Sequence, residues 1–168
     1  MSLLPIPDLL LNSIYELDPA WLTARGIRLV ILDIDNTVAP YTVHEADGAM
    51  RAWVDGLKAA GLAVYVLSNN RGTRPEVFSG ALGLPFRKKA WKPFPKAAKA
   101  ILAQTGVSAS QTAFIGDQIY TDVCCAKWCG AMAVLVEPIE LHRAALRFRY
   151  HLERPFRALA RRRGKSSL

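Results

Sequence analysis

Four short runs of unbroken apolar residues recur along the chain: Leu29 to Leu32, Ala63 to Leu67, Thr112 to Ile115 and Ala131 to Val136. Each is rich in branched residues and ends abruptly in polar residues, the pattern of a strand buried on both faces. Between and around them lie segments with helical spacing, roughly Glu45 to Ala60, Arg74 to Leu82, Pro93 to Gln104 and Tyr120 to Cys129. Pro93 and Pro95 suit a helix opening, while Gly61, Gly83, Gly106 and Gly130 suit helix stops. Upstream, Leu9, Leu10, Ile14 and Leu17 recur at helical spacing and predict a short N-terminal helix. Strands alternating with helices imply right-handed crossovers, hence an α/β domain whose parallel sheet is covered on both faces.

Length and composition bound this picture. With 168 residues and 51% hydrophobic content, the chain can bury one sizeable core. A charged fraction of 21% is too low for a disordered chain, and no periodic Gly or Pro suggests a fibre. No apolar stretch approaches the ~18–20 residues needed to span a bilayer, and the start lacks the basic-then-apolar order of a secretory signal. Cys124, Cys125 and Cys129 crowd into six residues and fit no disulfide framework, so a cytoplasmic location is expected. The net charge of +8 is uneven: residues 142–165 hold nine Lys or Arg against the single Glu153. These patterns divide the chain into an N-terminal helical arm (1–24), a core (25–138) and a basic amphipathic tail (139–168).

In an open α/β sheet, residues just past the strands' carboxyl ends converge on one crevice. The first run leads into Asp33-Ile34-Asp35-Asn36-Thr37, where period-two alternation lets Asp33 and Asp35 point the same way. The third leads into Gly116-Asp117, with Asp122 five residues on. A single Asp after a strand reads as a turn-former. Four carboxylates facing one crevice repel unless a cation sits among them, and a hard divalent ion such as Mg²⁺ is the natural neutraliser. The second run ends in Ser68-Asn69-Asn70, an ordinary loop sequence that also offers a hydroxyl and backbone N–H groups to a phosphate. Lys92, ahead of Pro93, is either a solvated surface lysine or a cation at the start of a helix that favours an anion.

Together, Asp33-x-Asp35-Asn36-Thr37 after a hydrophobic strand, Ser68 after a second, Lys92 and Gly116-Asp117-x-x-x-x-Asp122 resemble the four ordered motifs of the haloacid-dehalogenase (HAD) superfamily of phosphatases. Gly26-Ile27 before the strand, Lys92-Pro93 and Gly116-Asp117-Gln118-x-x-Thr121-Asp122 resemble subclass IIIA, in particular the small family containing phosphatidylglycerophosphate phosphatases. The resemblance implies a single Rossmann-like domain and a Mg²⁺-dependent hydrolysis. Asp33 would be the nucleophile and Asp35 the general acid and base. Asp33, the backbone carbonyl of Asp35 and Asp117 would hold the metal. Ser68, Asn69 and Lys92 would bind phosphate, Asp122 would orient Lys92 or a metal-bound water, and Thr37 would tie down the first loop.

Only residues 38–62 and 71–91 lie where such enzymes carry a cap, and each stretch has room for little beyond one helix. An open crevice suits a phosphate on something large: a lipid headgroup, a protein or a nucleic acid. In the tail, Leu141, Ala145, Phe148, Leu152, Phe156 and Leu159 fall near one helical face, with Arg143, Arg147, Arg154, Arg157 and Arg161 largely elsewhere, and Pro155 is expected to kink or restart the helix. The stripe either packs on the domain beneath a solvated Arg face or meets an anionic membrane. Deleting residues 142–168 is therefore expected to spare hydrolysis of a soluble ester. Arg87, Lys88 and Lys89 add to the same field or form a plain solvated edge. The leading expectation is hydrolysis of phosphatidylglycerophosphate at a membrane surface. Its rivals are a soluble-metabolite or phosphoprotein phosphatase and a non-catalytic protein associated with nucleic acid. Leu3, Leu4 and Leu9 to Leu11 either meet a membrane or cover the sheet. The cysteines are read as structural, Trp53, Trp91 and Trp128 as core residues, and the scattered His44, His142 and His151 as bystanders.

Overall fold

The computed structural model describes residues 4–43 and 45–164; Leu3, His44 and the end of the basic tail, 165–168, lie outside the described residues. The four expected strands are present as β2 (Leu29–Leu32), β3 (Ala63–Leu67), β5 (Thr112–Gly116) and β6 (Met132–Val136). Two edge strands join them, β1 (Leu9–Leu11) and β4 (Phe86–Arg87). All pairings are parallel in the order β1-β6-β5-β2-β3-β4, with Leu32 opposite both Val66 of β3 and Ile115 of β5.

Alternation along the strands divides the core between the sheet's two faces. Val30, Leu32, Val64, Val66, Ala113, Ile115, Val134 and Val136 pack on one face, under α1 (Pro19–Thr23), α2 (Gly48–Ala59) and α3 (Arg74–Leu82). Leu29, Ile31, Tyr65, Leu67, Phe114, Ala133 and Leu135 pack on the other, under α4 (Lys96–Thr105) and α5 (Cys124–Cys129). Each fully buried Ile or Leu contributes about 1.5–3 kcal/mol, so the central strands have no alternative partner of similar worth. Short connections bring each crossover back to the next strand, and among the described residues no separate cap interrupts them.

The helix expected from Leu9, Leu10, Ile14 and Leu17 is corrected. Leu9–Leu11 is an edge strand whose residues face Val134, Leu135 and Val136. A run of three leucines satisfies either period, and the open edge of β6 decides between them. Asp8 fastens this strand: its N–H donates to Ala133 O at 2.8 Å, and its Oδ2 accepts from Ala133 N at 2.7 Å. The first α-helix begins later, where the Asp18 side chain caps Ala20 N–H and Pro19 occupies the first turn.

The tail also departs from expectation. It forms one long helix, α6 (Ala144–Gly164), that continues through Pro155. Arg157, expected on the solvated side, is 3% exposed, and Glu153 and Ala160 are buried with it. Phe148 and Leu152, expected to share the stripe with Phe156, are 68% and 48% exposed, whereas Phe156 packs on the core. The buried Glu153–Arg157 pair at 2.9 Å wins the inner face, because Arg157 also reaches Glu137 at 3.2 Å and no solvent could serve it there. Trp53 is a core residue as expected, but Trp91 and Trp128 are exposed. The three cysteines are free thiols, with Cys125 buried.

Candidate active site

Asp33, Ser68 and Asp117 each follow a central strand directly, so adjacent parallel strands deliver them to one place. Asp33 and Ser68 line a cleft of about 480 Å³, together with Asp35, Tyr41, Asn69, Asn70, Lys92, Gln118, Thr121, Asp122 and Arg149, and the buried Asp117 brings a carboxylate oxygen within 4.8 Å of Asp33 and Asp122. At its floor Lys92 spends all three ammonium protons: on Asp33 Oδ1 at 2.6 Å, Asp122 Oδ1 at 2.6 Å and Leu67 O at 2.9 Å. Thr37 Oγ1 lies 3.2 Å from both Asp33 Oδ2 and Asp117 Oδ1, so its single proton serves one carboxylate at a time. Asp122 is steadied by Gln118 N–H at 3.2 Å and the Thr121 hydroxyl at 3.3 Å.

Four of the sequence-derived residues, Asp33, Lys92, Asp117 and Asp122, thus meet around one point, with Thr37 between two of them. Asp35 stands apart from the floor. Its carboxylate accepts from Arg74 Nε at 2.6 Å and Asn70 Nδ2 at 3.0 Å. Asn69 uses its side chain to hold Lys92, donating to the Lys92 carbonyl at 3.0 Å and accepting from its N–H at 2.7 Å. What Asn69 retains for a ligand is its backbone N–H. Ser68 Oγ accepts from Asn70 N–H at 3.0 Å, which leaves its own proton for the cleft. Lys92 does not stand at a helix start, because α4 begins only at Lys96; the lysine is held by the loop and by carboxylates instead of a helix terminus.

The electrostatics are those of a site short of positive charge. Burial, repulsion from Asp122 and then from Asp35 outweigh the attraction of Lys92 and raise Asp33 to about 7. Burial and the neighbouring Asp122 and Asp33 push Asp117 well above the usual carboxylate range. Burial works against the charged form of Lys92, but Asp122 and Asp33 overcome it and hold the ammonium above the ordinary lysine value. Carboxylate oxygens of Asp33, Asp117 and Asp122 lie within 4.8 Å of one another. Three buried carboxylates against one ammonium leave a deficit that protons or a cation must fill, and an all-oxygen donor set fits a hard divalent ion.

Several contributors were missed by reasoning from sequence. Arg74, 39 residues from Asp35, also donates to the carbonyls of Pro40 and Val43, fixing the loop after the first motif. Asn36 adopts φ +68° and exchanges two 2.8 Å bonds with the Glu140 backbone, tying that loop to the segment before α6. Arg157 donates to the Asp117 carbonyl at 2.5 Å, and Glu153 accepts from Ile119 N–H at 2.8 Å. Arg149 brings α6 to the rim, where it donates to Gln118 Oε1. The only advance signal for the last three was a charged tail, and charge alone does not say where it docks.

Comparison with known proteins agrees with this geometry. The HAD-hydrolase-like family matches residues 90–152. The chain is 31% identical over 160 residues to the probable phosphatase YqeG of Bacillus subtilis, covering 95% of this chain and 93% of that protein. It is 28% identical to the chloroplastic phosphatidylglycerophosphate phosphatase 1 of Chlamydomonas reinhardtii over 145 residues, which is 81% of this chain and 54% of that protein. Among solved structures, the cobalt-bound deoxy-D-mannose-octulosonate 8-phosphate phosphatase of Haemophilus influenzae shares the fold. Its TM-score is 0.52 at 21% identity, covering 81% of this chain and 92% of that one.

Proposed function

Because the chain belongs to the HAD-like hydrolases and is a phosphoric monoester hydrolase, we propose that it hydrolyses phosphatidylglycerophosphate to phosphatidylglycerol at a membrane surface, by way of an aspartyl-phosphate on Asp33. The observation that carries the chemistry is the convergence of Asp33, Lys92, Asp117 and Asp122 on the floor of an open cleft.

In this reading a carboxylate oxygen of Asp33 attacks phosphorus, and the ester P–O bond breaks as the phosphoryl group passes to Asp33. Asp35 gives a proton to the departing alkoxide and later takes one from the water that cleaves the acyl phosphate. Arg74 and Asn70 hold that carboxyl in one orientation, which suits a group used twice. Once Asp33 turns its oxygen to phosphorus, the proton Lys92 now gives to Asp33 is released to a phosphoryl oxygen, joined there by the Ser68 hydroxyl and the Asn69 N–H. Asp122 keeps Lys92 in place throughout. HAD phosphatases use a divalent metal; here Asp33, Asp117 and the backbone carbonyl of Asp35 would hold Mg²⁺. When bound, it neutralises charge between the carboxylates and the phosphate.

Three observations support the lipid. The cleft is uncapped, a relative is named as a phosphatase for this lipid, and α6 carries Phe148, Leu152 and Leu159 outward beside exposed arginines. Arg149 on the rim suits a substrate with a second anionic group. Release of phosphate from vesicles containing phosphatidylglycerophosphate, dependent on Mg²⁺ and far faster than from glycerol 3-phosphate, is the expected result. Asp33→Asn should reduce it to background. Preference for the soluble ester would overturn the lipid assignment, and activity persisting in Asp33→Asn would overturn the nucleophile.

A further inference from the structure

We propose that the segment from β4 to the start of α4, residues 86–96, is a docking face for an anionic lipid bilayer. The inference deepens the reading above, since a lipid-borne phosphate must be met at headgroup level, but its test reads binding and not turnover.

Trp91 and Phe94 are 63% and 64% exposed, and Phe86 adds a third aromatic ring at the surface. Around them stand Arg87, Lys89 and Lys96, all exposed, and among the described residues none of the three pairs with a carboxylate. Lys88 is engaged by Glu76. The Arg71 guanidinium lies 4.8 Å from the centre of the Trp91 ring. Arg87, Trp91, Phe94 and Lys96 border a shallow groove of about 450 Å³.

The loop is held in this display. Lys89 and Trp91 both adopt positive φ, +53° and +57°, a conformation that costs a non-glycine residue and persists only where neighbours enforce it. The enforcing contacts come from the catalytic loop. Lys89 N–H donates to Asn70 O at 3.2 Å, Ala90 N–H donates to Ser68 O at 3.1 Å, and Asn69 clasps Lys92. Ala90 and Lys92 thereby turn inward while Trp91 turns out. Arg71, Lys89 and Trp91 share a depression with Asn69 and Lys92, so the face adjoins the phosphate end of the cleft.

Aromatic rings interleaved with cations match the headgroup boundary, where rings sink to the acyl edge and cations meet lipid phosphate. A single-stranded nucleic acid could also use rings and cations. The lipid is favoured by α6, which supplies Arg149 to the cleft and leaves Phe148, Leu152 and Leu159 exposed to solvent. Aliphatic leucines have nothing to stack on in a nucleic acid, whereas a bilayer takes them up.

The full chain should sediment with vesicles of mixed phosphatidylglycerol and phosphatidylcholine, and weakly with phosphatidylcholine alone. Phe94→Ser combined with Lys96→Glu should weaken that binding about tenfold, with p-nitrophenyl phosphate hydrolysis unchanged. Independently of any folding defect in that variant, brominated acyl chains should quench tryptophan fluorescence of the unaltered protein, and the quenching should disappear in Trp91→Phe. Equal binding by the double variant, quenching that survives Trp91→Phe, or loss of affinity for an RNA oligonucleotide and not for vesicles would overturn the proposal. Phosphatidylglycerol has no phosphomonoester, so vesicle binding stands or fails separately from hydrolysis of phosphatidylglycerophosphate.

Discussion

Gly116 closes β5 where the Asp122 carboxyl occupies the space of a side chain: a Cβ there would overlap the Asp122 carboxyl carbon. Gly116→Ala should therefore displace Asp122 and, through it, Lys92. The expected cost is about 1–3 kcal/mol of stability, read by urea unfolding, together with a loss of p-nitrophenyl phosphate hydrolysis. Asp35 makes a different kind of contribution, because it is the group proposed to transfer protons and it also holds Arg74 and Asn70. Asp35→Asn should lower turnover by about 10²- to 10⁴-fold and, by leaving the largely buried Arg74 guanidinium without its carboxylate, should lower the urea unfolding midpoint as well. Turnover per folded molecule equal to the parent's would mean that Asp35 is chiefly a strut for Arg74 and the loop at residues 39–43.

At the scale of elements, α6 is joined to the catalytic machinery and is not a detachable tether. Arg157 bonds the Asp117 carbonyl, and Glu153 holds the N–H groups of Ile119 and Tyr120 at the π-turn Ile119–Val123 that carries Asp122. Removing residues 142–168 is accordingly expected to impair hydrolysis of a soluble ester as well as of a lipid, contrary to the expectation from charge pattern alone. Arg157→Met leaves Glu153 buried without its partner and should cost about 3–5 kcal/mol in urea unfolding. Activity and stability equal to the parent after either change would show that the helix merely rests on the domain.

For the whole molecule, the shortage of positive charge in the site links stability to pH and to metal. Burial raises Asp33 to about 7, above its value in an unfolded chain, so the folded state holds that proton more tightly. This contribution is present at low pH and is lost as pH rises from about 4 through about 7. Asp33→Asn removes it. In chelator, the melting temperature of Asp33→Asn relative to the parent should therefore climb across that interval. Excess Mg²⁺ at pH 8 should raise the parent's melting temperature and narrow the gap. A difference that stays constant with pH would contradict the raised Asp33 value.

From the chain alone, the buried strands β2, β3, β5 and β6 were legible because their continuous apolar runs admit only a two-sided sheet. Asp33, Ser68 and Asp117 were legible because parallel strands carry their following residues to one edge, whereas Lys92 was placed by the family resemblance and not at the helix start that Pro93 suggested. Local pattern could not decide Leu9–Leu11, whose leucines suit either period until the edge of β6 is there to pair with. Nor could it assign Arg74 to Asp35, the Asn69 side chain to Lys92, or Arg157 to the interior. Those depend on which distant groups are left unsatisfied when helices and sheet pack, and only the closed three-dimensional structure determines that.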